Sequence, residues 1–123
     1  MDSRSRYTAL IAAALGLMMV GAGISKLVGE SHQVEGFIMW ELPAWFRMLV
    51  GTFEVIGGVM LALPATTPLG SLVLSTIMVG AIWTHIVYAQ WLRLVAPLAL
   101  LIVFLLLFRR TSARVVRLLA GGH

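Results

Sequence analysis

Three ionisable side chains stand inside otherwise apolar runs of this sequence: Lys26, Glu54 and His85. An ionised carboxylate in hydrocarbon costs roughly 2.5 to 3.5 kcal/mol or more, so Glu54 must be neutral, paired or hydrated. Lys26 bending inward, or Arg47 two turns away on the same helical face, would supply a counter-charge, and His85 a ring N–H. A carboxylate and an imidazole are also groups that exchange protons with a bound polar head, with Trp83 or neighbouring aromatics flanking its ring. Buried hydrogen bonds that tie three helices together are the plainer reading of the same residues.

Other chemistries find less support. The chain has no cysteine, which excludes disulfides, thiolate metal sites and a CxxC redox couple. Glu30, His32 and Glu35 fall within reach of one loop, but such ligands are too few and too loosely held for a metal site. His85 has no second histidine within a span, since His32 is in the loop and His123 at the far terminus. No haem or metal is therefore expected. Gly57-Gly58 lacks a following Lys or Ser and reads as a helix contact rather than a phosphate loop.

The elements that must position these residues follow from composition. The 123 residues are 60% hydrophobic and 11% charged, where soluble domains carry about 25% charge. A bilayer core of ~30 Å requires about 20 apolar residues as helix. Spans are expected at about 7–28, 44–64, 69–90 and 93–110, with 111–123 as a basic cytoplasmic tail, all in one all-α membrane domain. Pro64 and Pro68 bracket one tight turn, and residues 90–93 make another. The longer stretch GESHQVEGFIMWELP suits a partly structured outer loop, interfacial or partly re-entrant, with Pro43 opening the next helix.

Six basic residues (Arg4, Arg6, Arg109, Arg110, Arg114 and Arg117) lie near the two termini, against Lys26, Arg47 and Arg93 on the opposite side. That excess predicts both termini in the cytoplasm, which requires an even number of spans and so matches four. Trp40, Trp45, Tyr88 and Trp91 then form an outer aromatic belt. Arg4 and Arg6 before an apolar run also fit a cleaved signal peptide, but the run is longer than a usual signal core. The basic residues form no stripe interleaved with aromatics, so nucleic acid is not an expected partner.

Small and polar residues mark the inward faces of membrane helices. Ala12, Gly16, Met19, Gly23 and Lys26 share one face of the first span, and Arg47, Gly51, Glu54 and Gly58 one face of the second. Ser71, Ser75, Met78, Ile82 and His85 form a weaker stripe on the third. Gly16, Gly23, Gly51, Gly57 and Gly58 are thus the expected packing positions, and Lys26, Glu54, His85 and Arg47 the expected polar cluster. By the ~1.5 Å rise, Glu54 lies ~15 Å from Pro64, near the midplane, with Lys26 and His85 nearer the outer surface. The fourth span has no polar side chain from Leu98 to Phe108 and is expected to face lipid or a second subunit, a route to a homo-oligomer. Its basic continuation suits either a solvated tail or an amphipathic extension on an anionic leaflet.

The succession GISKL, a Trp-rich loop with ELP, GTFEVIGGVMLALP, and an apolar span ending near a histidine resembles the DoxX-like family of small four-helix membrane proteins. The resemblance covers residues 7 to about 108. Its most specific piece is Glu54, Gly57 and Gly58 paired with Gly23 and Lys26; His85 matches more loosely. It implies a lipid-embedded four-helix bundle and a choice of roles. Family members include subunits linked to thiosulfate-to-quinone electron transfer, members of membrane oxidoreductase complexes, and the NACHO chaperones of acetylcholine-receptor assembly. An accessory subunit of a redox complex, with a polar cavity for a quinone-like or other lipophilic ligand, is one expectation. A non-catalytic chaperone or scaffold for a partner membrane protein is the alternative.

Overall fold

The computed structural model describes residues 3–121, with side chains from Ser5 onward. Five helices follow one another: α1 (Ser3–Leu27), α2 (Ser31–Met39), α3 (Ala44–Ala62), α4 (Thr67–Val87) and α5 (Val95–Ala120), the last entered through a 3-10 turn at Trp91–Leu94. α1, α3, α4 and α5 are each long and apolar enough to cross a membrane, and no strand occurs among the described residues. α1 packs on α3, α3 on α4, and α4 on α5. Their shared core holds Ala12, Met19, Leu61, Leu74, Met78, Phe104 and Leu107.

Local chemistry sets the helix ends. Pro43 is the extended residue from which α3 starts, and Pro68 sits in the first turn of α4, where a missing N–H leaves no intrahelical bond unmade. Between them two threonines take up the terminal carbonyls of α3. Thr66 Oγ1 donates to the Met60 carbonyl at 2.8 Å, and Thr67 Oγ1 lies 2.9 Å from the carbonyls of both Leu61 and Leu63. Gly29, with φ +72°, closes α1 in the left-handed conformation that only glycine adopts freely.

α1 and α3 meet backbone to backbone. A Cβ on Gly16 would stand 2.5 Å from the Gly58 carbonyl oxygen, and one on Gly58 2.6 Å from that of Gly16. Gly23 and Gly51 repeat the arrangement seven residues along, at 2.6 and 2.9 Å. Such closeness is how membrane helices gain van der Waals contact where no hydrophobic effect drives them together. Gly57 turns instead toward α4, where Leu74 and Val73 lie against it. Gly70 is an additional close contact, its Cβ position 2.4 Å from the Leu61 nitrogen.

α5 corrects one expectation. It does not present only lipid-facing surface: Pro97, Phe104, Leu107 and Thr111 are buried along one face, and Phe104 is fully enclosed. The aliphatic composition of the span hides this asymmetry, because a large apolar side chain suits core and lipid equally well. The opposite face, with Ile102, Leu105 and Leu106, is exposed. The helix also runs unbroken through residues 111–120, so the basic segment continues α5. Thr111, buried, donates to the Leu107 carbonyl at 2.6 Å.

Candidate functional site: a cavity floored by an ion pair

Lys26 Nζ lies 2.7 Å from Glu54 Oε1, with the Glu54 side chain only 3% exposed. The glycine contacts make this pair possible. Lys26 follows Gly23 by three residues on α1, and Glu54 follows Gly51 by three on α3. The helices are antiparallel, and a Cβ on Gly51 would stand 3.0 Å from Lys26 Cβ, so Glu54 is about one helical turn, roughly 5 Å, from Lys26 along the axis. Side chains tilt toward the N-terminus of their own helix, so in an antiparallel pair these two lean toward each other. Lysine has the reach to close the remaining gap, and the close backbone approach brings it there.

Arg47 does not join them. Its guanidinium Nη1 donates to the backbone carbonyl of Lys26, in the last turn of α1, where a cation also suits the negative end of the helix dipole. Arg47 therefore steadies the helix that carries Lys26 rather than pairing with Glu54.

His85 also bonds elsewhere. Its Nδ1 is 2.9 Å from Gln90 Oε1, and the same oxygen accepts the indole N–H of Trp40 at 2.9 Å. The Trp40 ring meets the imidazole edge-on at 5.6 Å, and the Tyr88 hydroxyl donates to the Trp40 carbonyl at 2.9 Å. These bonds fasten the end of α2 to the turn after α4. On the inner side of α2, Phe37 is buried and stacks edge-on against Trp40 and at a tilt against Phe46.

Beneath this fastening lies a cavity of about 550 Å³. α3 contributes Phe46, Val50 and Glu54, α4 contributes residues from Thr76 to His85, α2 and the turn after it contribute Gln33, Phe37, Trp40 and Leu42, and α1 contributes Lys26 alone. The lining is mostly apolar, with the ion pair and His85 as its charged or titratable groups. α3 and α4 touch tightly at Gly57 and Gly70, and the cavity occupies the space between their halves nearer α2. Gly80 and Trp83 on the exposed side of α4 mark its rim. A volume of this size is within the range of sites for small lipophilic molecules.

The model of the DoxX-like family matches residues 10–107, which takes in α3 and α4 whole, most of α1, the first half of α5, and every residue of the ion pair and the glycine contacts. The chain belongs to the DoxX-like family. Neither curated proteins nor solved structures gave a match.

Of the four polar residues singled out in this DoxX-like sequence, the fold joins Lys26 to Glu54, seats His85 on the wall of the same cavity, and turns Arg47 to α1's end. Among the described residues no three His, Cys, Asp or Glu side chains come together to hold a metal ion. His32 and Glu35 are exposed on α2, and His123 lies outside the described residues. Gln90 and the inward role of Trp40 are not visible in the sequence. Fifty residues separate them, and a tryptophan near a span end has the same spacing whether it faces headgroups or a neighbouring turn.

Proposed function

We propose that the cavity between α3 and α4 takes the polar head of a lipophilic molecule, a quinone or a compound of similar shape, and that the chain serves as an accessory subunit of a membrane redox complex. The observation that carries this reading is a mostly apolar space of about 550 Å³ with a buried, ion-paired carboxylate at its floor and an imidazole on its wall. Packing alone calls for no space beside Glu54. In this reading Glu54 and His85 interact with the head group, and Trp83 at the rim flanks it. The chain has no cysteine, so the electrons for any chemistry on that head come from a partner subunit. The excess of arginines near the termini supports placing that end of the bundle in the cytoplasm.

The test is extraction of the purified protein followed by mass spectrometry of bound lipophilic molecules, wild type against Gly80→Leu. A Cβ at Gly80 meets nothing within 4 Å, so this variant fills the rim without disturbing the helices. A ligand present at about one per chain in the wild type and absent from the variant supports the reading. No ligand in either, with a membrane protein co-isolated instead, favours a non-catalytic helper of assembly.

A further inference from the structure

Hydrogen-bond chemistry at the outer end of the cavity fixes a proton. An indole nitrogen can only donate, so the Gln90 atom 2.9 Å from Trp40 Nε1 must be its oxygen. The amide nitrogen then faces the Met39 sulfur at 3.9 Å, a weak acceptor consistent with that orientation. The same oxygen lies 2.9 Å from His85 Nδ1, and two acceptors cannot share that distance, so Nδ1 carries hydrogen. In the neutral ring the lone pair is then on Nε2, which has no partner among the described residues.

The neighbouring hydroxyls on α4 are committed in the same sense. Thr84 Oγ1 donates to the Gly80 carbonyl at 2.9 Å, and Thr76 Oγ1 to the Leu72 carbonyl at 3.0 Å. Each keeps only acceptor capacity toward the cavity that both line. The remaining donor on this wall is the indole of Trp83, which is 68% exposed at the rim. The α4 wall therefore presents acceptors, and an occupant gains most there by bringing a donor.

We infer that the α4 wall recognises a hydroxyl hydrogen, accepted at Nε2 of His85, so that the cavity takes a lipophilic alcohol or phenol in preference to the matching ether, and of a quinone-type head the reduced quinol rather than the oxidised quinone, which has no hydrogen to offer. This rests on the cavity being a ligand site, as proposed above, and assigns the polarity of its recognition. Lys26, the donor at the floor, is held by Glu54, and Gln33 from α2 offers a donor and an acceptor alike, so the acceptors of α4 are what favours a hydroxyl.

Two measurements test it. The first is ¹⁵N NMR of the full chain in bicelles, with His32→Asn and His123→Asn leaving one histidine, above the ordinary imidazole titration range. The proton is expected on Nδ1; an Nε2–H ring overturns the inference whatever the cavity binds. The second compares binding of 4-nonylphenol and its methyl ether, read by tryptophan fluorescence, with Gly80→Leu giving the background of lipid partition. The phenol is expected to bind about 3- to 10-fold more tightly, the scale of one neutral hydrogen bond, and Gln90→Leu to shrink that preference. Equal, Gly80-dependent binding of both probes refutes hydroxyl recognition while leaving the cavity a ligand site. Absence of saturable binding by either refutes both.

Discussion

Two glycines on α1, two residues apart, should respond to alanine with opposite sign. Gly21 faces open space, with nothing within 4 Å of a Cβ placed there. Gly21→Ala should therefore stabilise the bundle by about 0.5–1 kcal/mol, the usual advantage of alanine in a helix interior. At Gly23 the same methyl would stand 2.6 Å from the Gly51 carbonyl oxygen and 2.9 Å from the Val55 nitrogen. A carbon and a carbonyl oxygen settle at about 3.3 Å or more, so α1 and α3 must part by roughly 0.7 Å. The Val55 Cγ2 methyl is also in the way at 2.7 Å, but moving it would leave the two backbone atoms where they are, and overpacking of this kind costs about 1–3 kcal/mol. Both variants gain the same helix propensity, so the difference between them isolates the packing term. Reversible unfolding of wild type, Gly21→Ala and Gly23→Ala in mixed micelles would measure it. If Gly23→Ala is as stable as Gly21→Ala, the close α1–α3 approach, and with it the way Lys26 is delivered to Glu54, is wrong.

Three further outcomes follow from the same packing. In a double-mutant cycle, Lys26→Met and Glu54→Gln should each leave the protein folded but less stable, with a coupling energy of about 1–3 kcal/mol; additive effects would deny the ion pair. Phe104→Ala should lose about 3–5 kcal/mol because the ring is fully enclosed, whereas Ile102→Ala on the exposed face should be nearly silent; similar losses at both would mean that α5 has no buried face. Ala89 holds φ +53° in the turn after α4, where Gln90 N–H bonds the His85 carbonyl at 2.8 Å. Ala89→Gly should raise stability by about 0.5–1 kcal/mol in the same unfolding assay, since glycine enters this region without strain, and a fall would remove that strain from the account.

Composition and spacing determine a good deal of this protein. A window of about 20 apolar residues has one low-energy form in hydrocarbon, a helix with every backbone group satisfied internally, so four such windows dictate four long helices. Prolines 43, 64 and 68 fix where helices begin and turns fall, because their chemistry acts on the residue itself. The glycine and charge stripes follow from helical period alone, and they mark which faces of α1 and α3 turn inward.

Tertiary structure decided the partners. Period places Lys26, Glu54, His85 and Arg47 on polar faces, but a face does not say what stands opposite it. Antiparallel side-chain tilt joined Lys26 to Glu54, a helix end drew Arg47 away, and a glutamine fifty residues from Trp40 took His85. The buried face of α5 was equally hidden, because leucine and phenylalanine are as much at home in lipid as in a core. In a bilayer, hydrophobicity no longer tells inside from outside. What does so is close contact and polar pairing, and both are properties of two helices together.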